Sequence, residues 1–173
     1  YFFMMKIILI FCAALAFVSC SGGSDKVIKY GFEEEIILAN GENEIALTEE
    51  LTNEYLEKCV PSDAIIPINK AFRGENIFYI GLAVMSGNDK IKNQIESDST
   101  FTLIKSKEIT IDDCSAITFL LESSNIYLNC IHYKVASTNS SFWIVEQLDD
   151  IASAESNFEN DILKNKIKRF IDE

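Results

Sequence analysis

The sequence contains one histidine, so any imidazole chemistry has to be assembled around His132. Nucleophile–base pairs, histidine metal sites and the HExxH pattern all depend on such a residue. His132 lies in an alternating apolar run with Ile126, Leu128 and Cys130. That is the setting of a buried, hydrogen-bonded strand histidine more than of a general base. Cys130 is a poor partner for it, because residues two apart on a strand stand about 7 Å apart. A pairing of His132 with Cys59 stays open at this level.

Carboxylates gather at Glu33-Glu34-Glu35, at Glu42 and Glu44, at Asp112-Asp113 and at Asp149-Asp150. Glycosidase-type hydrolysis needs two carboxylates about 5–10 Å apart across a cleft, a spacing that sequence does not reveal. Calcium loops of the DxDxDG kind are missing, as are GxGxxG, GxxxxGK[ST] and GxSxG. The acidic clusters are expected in solvated turns and strand edges. No catalytic, cofactor or metal site is therefore assigned, and the expected function is non-enzymatic. A periplasmic or surface hydrolase with a carboxylate-based site is the alternative.

The five cysteines are Cys12, Cys20, Cys59, Cys114 and Cys130. The last three are separated by 55 and 16 residues, which matches no zinc or CxxC spacing. An odd number allows at most one internal disulfide and leaves a thiol. Which residues pair stays open, and all three fit buried core positions.

These residues need elements to position them. Val27 to Leu38 is expected to be extended, Asn40-Gly41 is a turn signal, and Glu44 to Leu47 returns as a short strand. Thr48 caps a helix to about Cys59, since Leu51, Tyr55, Leu56 and Cys59 recur at helical spacing and Pro61 follows. Ala64–Phe72 and Ile77–Met85 form a hairpin whose second arm Gly81 weakens. A short helix is expected over Asn88–Glu96, then an extended run from Phe101 to Ile111. Three strands follow, Ser115–Leu121, Ile126–Val135 and Phe142–Leu148. The spacing predicts an amphipathic helix over Asp150–Ile171, with Ile151, Phe158, Ile162, Ile167 and Phe170 on one stripe.

Neighbouring residues in these strands are apolar on both sides, as in Phe142-Trp143-Ile144-Val145. A sheet with one wet face would alternate, so both faces need cover. The C-terminal helix can cover one face, and the 48–59 helix can cover the other or share it. Short turns make the sheet antiparallel. The expected fold class is α+β, a central antiparallel sheet of about six strands flanked by helices.

Ahead of this body stands a different kind of segment. Lys6 is followed by an uncharged apolar run, Ile7 to Val18, shorter than the roughly 20 residues that span a bilayer. It fits the core of a signal peptide. Residues 1–3, which precede Met4 and Met5, are expected to be spurious. Ala14-Leu15-Ala16 offers an ordinary cleavage site. Phe17-Val18-Ser19-Cys20 resembles the lipobox of bacterial lipoproteins, with Phe17 where Leu is usual. Ser21-Gly22-Gly23-Ser24 then suits a flexible tether. The resemblance implies a signal peptide over 1–19, a lipidated Cys20 on a tether over 20–26, and a single domain over 27–173. It also implies an anchor in the cell envelope. Ser21, where inner-membrane retention usually shows Asp, implies the outer membrane, on its periplasmic or surface face.

Losing the signal with Lys6 takes the chain's 15 basic residues to 14 against 27 acidic ones, a net of −13. Phosphate backbones repel such a body and no basic cluster offsets the repulsion, so nucleic acid is excluded as a partner. The expected partners are the membrane, through the lipid, and a protein or small ligand. The order of elements, with "EITIDDCSAITFLL", "IYLNCIHYKV", "SFWIVEQL" and the closing "FENDILKNKIKRFID", resembles PsbP-like domains over residues 28–172. Asp112-Asp113-Cys114 replaces the family's usual glycine turn. That resemblance implies an α/β/α sandwich and a non-enzymatic scaffold or assembly role, with no cofactor.

Overall fold

The computed structural model describes residues 26–31, 34–84, 87–135 and 140–169. The signal segment, Cys20, the Ser/Gly tether and Phe170 lie outside them. Seven strands form the main sheet: β3 (Asn43–Ile45), β4 (Ile68–Arg73), β5 (Ile77–Val84), β6 (Thr102–Ile111), β7 (Cys114–Ser123), β8 (Ile126–Lys134) and β9 (Ser140–Leu148). Their order is β3-β4-β5-β9-β8-β7-β6, antiparallel throughout. About six were expected. A second sheet of three strands joins β1 (Lys26–Gly31), β2 (Glu34–Leu38) and β10 (Ile167–Arg169) in the order β1-β2-β10.

The turns explain the register. Asp112 and Asp113 have φ of 43° and 66°, and Ser124 and Asn125 have 48° and 66°. Two successive left-handed residues match the twist of the flanking strands. Asp and Asn tolerate this better than other side-chain-bearing residues. At Asn40-Gly41 the Glu42 N–H donates to Ala39 O at 3.0 Å with Gly41 at φ 96°, a type II turn that glycine fits.

Helix α1 (Glu49–Lys58) begins where expected, because the Thr48 hydroxyl accepts from Leu51 N at 3.2 Å. It lies with α2 (Asn88–Ser97) on one face of the main sheet. There Tyr55, Cys59, Ile91 and Ile95 join Tyr79, Phe119, Cys130 and Trp143 in one core. The opposite face carries Phe72, Phe78, Ile80, Ile131, Tyr133 and Ile144, and the small sheet covers it with Ile36, Leu38 and Ile167. Helix α3 (Ile151–Glu159) closes the rest of that face, packing Ala154 and Phe158 on Leu120 and Leu148. Both faces are thus covered, giving an α+β sandwich.

Three expectations on the elements change. Residues 27–38 form two strands, β1 pairing back on β2. Strand β4 begins at Ile68, four residues later than expected, and Ile65 is 91% exposed. The C-terminal helix is not continuous. Asp161 adopts φ 54° and breaks it, a five-residue α4 (Ile162–Lys166) follows, and β10 then pairs Ile167 with Ile36. Leu163, instead of Ile162, is buried, and Ile151 at the head of the stripe is exposed. The apolar residues reach the core through a turn and a strand pairing, a tertiary gain that overrides the helical period.

Candidate functional site

His132 pairs with Ile117 of β7 and Trp143 of β9, so it faces the core beneath α1 and α2. It is 0% exposed. Its Nδ1 lies 2.8 Å from Asn88 Oδ1, in the first turn of α2. An amide oxygen only accepts, so Nδ1 carries the proton and Nε2 the lone pair. The Asn88 amide in turn donates to Ser115 Oγ at 2.8 Å. Burial pushes the imidazole from 6.5 down to about 4, which keeps it neutral. His132 Nε2 and the hydroxyl of Ser141 are buried without a hydrogen-bond partner.

Chemically this is a base held by an orienting amide, two thirds of a nucleophile–base–orienter set. The nucleophile that sequence left open does not complete it. Cys59 shares the same core, but burial and then the Glu54 carboxylate push its thiol up to about 12. A thiol held protonated is not a nucleophile. Its carbonyl, not its sulfur, is engaged, accepting from Trp143 Nε1 at 2.9 Å.

The acidic clusters serve the scaffold. Glu42 accepts from Ala39 N and binds Lys166 Nζ at 2.5 Å, and Lys166 also lies 4.8 Å over the Phe78 ring. Glu44 pairs with Lys70 at 2.7 Å. Asp112 and Asp113 form the β6–β7 turn, and Asp150 caps α3 by accepting from Ser153 N at 2.8 Å. Glu33 lies outside the described residues, while Glu35 is buried in β2.

A carboxylate that sequence reasoning passed over is the more informative one. Glu146 in β9 is buried, and three asparagine amides converge on it. Asn157 Nδ2 lies 3.0 Å from each of its oxygens, Asn76 Nδ2 at 3.2 Å and Asn129 Nδ2 at 3.5 Å. Beside it opens a pocket of about 450 Å³, lined by Asn76 and Asn157 with Glu75, Asp149 and Asp150 among others. The signal was present in "SFWIVEQL": Glu146 stands between Ile144 and Leu148 on an apolar face, where a bare charge would be costly. Among the described residues no three His, Cys, Asp or Glu side chains gather to hold a metal.

The outer ridge of α1 is of another kind. Glu49, Glu50, Asn53 and Glu57 are exposed there with Leu56, and Leu47 precedes the helix cap. Lys58 is the helix's cation, and it is tied to Glu54 at 3.3 Å.

No family model and no curated protein matches the chain. Among solved structures, the solution structure of cyanobacterial PsbP (CyanoP) from Synechocystis sp. PCC 6803 superposes with a TM-score of 0.51. The match covers 90% of this chain and 99% of that one, at 11% identity. The fold is PsbP-like. At that identity the PsbP likeness speaks for architecture alone, and the resemblance noted over residues 28–172 holds in its fold.

Proposed function

We propose that this chain is an envelope lipoprotein, anchored through Cys20 and directed to the outer membrane. Its PsbP-like domain binds a protein or small ligand and performs no chemistry of its own. The observation that carries this reading is the state of His132: sealed from solvent, neutral, and committed through Nδ1 to Asn88. An imidazole so placed holds α2 on the sheet. The open surface is instead the acidic ridge of α1 with Leu47 and Leu56 exposed at 40% and 48%, an arrangement suited to contact. Charge and apolar exposure together favour a protein partner with basic and apolar side chains.

The test is a substitution in cells, checked for folding. His132→Gln is expected to leave the phenotype of the protein intact. A folded but inactive His132→Gln would put catalysis in place of binding.

The pocket beside Glu146 favours a second reading, a carboxylate-based hydrolase, because it brings Glu75, Asp149 and Asp150 to one concavity. Asp149→Asn and Glu75→Gln should both abolish function if that reading holds. Retention of function in both supports binding.

A further inference from the structure

Cys59, Cys114 and Cys130 are buried thiols in this structure, and strand alternation sorts them. Cys114 opens β7 and belongs to the core beneath the small sheet, with Ala116, Tyr133 and Phe142. Cys130 stands in β8 opposite Phe119 and Val145, on the other face, beneath α1 and α2. Cys59 ends α1 and lies in that second core. Its carbonyl is hydrogen-bonded to Trp143, two residues along β9 from the Val145 that pairs with Cys130. The sheet therefore separates Cys114 from the other two. Side chains that leave a sheet in opposite directions cannot be bridged without moving the backbone.

We propose that Cys59 and Cys130 form an intramolecular disulfide when the chain folds in the presence of a disulfide donor, and that Cys114 stays a thiol. The bond ties the C-terminal end of α1 to a central strand of the sheet.

The exchange balances with an ordinary donor, RS–SR. One cysteine, as thiolate, attacks the donor and forms a mixed disulfide, releasing RS⁻, which takes up the proton lost by the thiol. The second cysteine then displaces the remaining RS⁻ in the same way. Two protein thiols and one donor disulfide become one protein disulfide and two RSH. The step belongs to folding and not to the finished domain. Once the core closes, both residues are 0% exposed. Burial, and then Glu54, pushes Cys59 to about 12, and burial, and then the nearby Cys59, pushes Cys130 well above its usual value. Neither supplies thiolate from the folded state. This sorting also resolves what an odd cysteine count leaves open.

The experiment refolds the denatured, reduced full chain, with Cys12 and Cys20 replaced by alanine, in a mixture of oxidised and reduced glutathione. The product is denatured without reductant, alkylated, digested and mapped by mass spectrometry. The Cys114 peptide should carry the label, and the Cys59 and Cys130 peptides should run as one cross-linked species, 2 Da lighter than their summed masses (about one hydrogen lost per sulfur). In Cys59→Ala the label should appear on both Cys114 and Cys130. Label on Cys59, Cys114 and Cys130 together, glutathione retained on Cys59 or Cys130, or a bridge that includes Cys114 would each overturn the assignment.

Discussion

Placing a charge on His132 means charging a group in a dry core, between Trp143 and Asn88. In the unfolded chain the imidazole takes its proton near 6.5, and in the fold only near 4. Between those values the unfolded state binds more protons, so stability falls as pH drops from 6.5 towards 4 and levels off below. One pKa unit is worth about 1.4 kcal/mol, which a urea midpoint resolves easily. His132→Gln should flatten the titration over that window; an unchanged slope would show that the histidine is solvated. Asp98 acts at lower pH. Its burial opposes ionisation, but hydrogen bonds from Thr100 and Ser62 outweigh that and bring it to about 2. Its contribution holds above 3.8 and fades as pH falls towards 2, so the two effects separate in one titration. Gly81 makes a different point at this scale. Sequence reading took it as a weak place in a strand. In the structure a Cβ there would collide with the Tyr55 hydroxyl and meet Ile66 Cγ2 at 2.7 Å. Gly81→Ala should cost about 1–3 kcal/mol by overpacking, and adding Tyr55→Phe should recover part of it. Periodicity cannot reveal such a contact, because it is made by a helix residue distant in sequence.

At the scale of elements, α1, α2 and the hairpins were legible because their signals are local. Thr48 caps, Pro61 stops, and Asp112-Asp113 and Ser124-Asn125 turn. The broken C-terminus was not legible. The stripe from Phe158 to Ile167 satisfies a helical period, and only the pairing of Ile167 with Ile36, a contact across most of the chain, reveals the strand. What holds α3 is clear from its partners. Phe158 is buried against Leu120 and Leu148, Lys107 lies 4.7 Å over its ring, and Lys105 reaches Glu155 and Glu159. The exposed ion pairs contribute little, and the ring carries the docking. Phe158→Ala is expected to destabilise by about 3–5 kcal/mol, a large share of the roughly 5–15 kcal/mol of a domain. Lys164→Ala should melt like wild type. If Phe158→Ala also does, α3 is held by its charges and the packing account is wrong.

The whole molecule was legible in outline through one property, the apolar character of both sides of β7, β8 and β9. That property demands a layer on each face, and the structure supplies α1 and α2 on one side and a second sheet with α3 on the other. The second sheet is not legible in the sequence because its strands are short and joined from opposite ends of the chain. The Glu146 centre is not legible either, because asparagines from a turn, a strand and a helix distant in sequence create it. At this scale the proposed anchor makes a sharp claim about where the domain works. Each buried CH₂ of a lipid contributes about 0.8 kcal/mol, so two or three chains on Cys20 would hold the protein firmly at a surface. A binder held there acts through effective concentration, and releasing it dilutes that advantage without touching its fold. An enzyme acting on a diffusible substrate would lose nothing by release. Labelled palmitate should therefore enter the wild-type protein and not Cys20→Ala. The variant should appear in the soluble fraction with an unchanged melting temperature, and it should fail to support the cellular phenotype. A mature protein beginning at Phe17 would mean that the Ala14-Leu15-Ala16 site is the one cut. Full function from released Cys20→Ala, alongside a folded but inactive His132→Gln, would require the buried histidine to be catalytic after all and would end the binding reading.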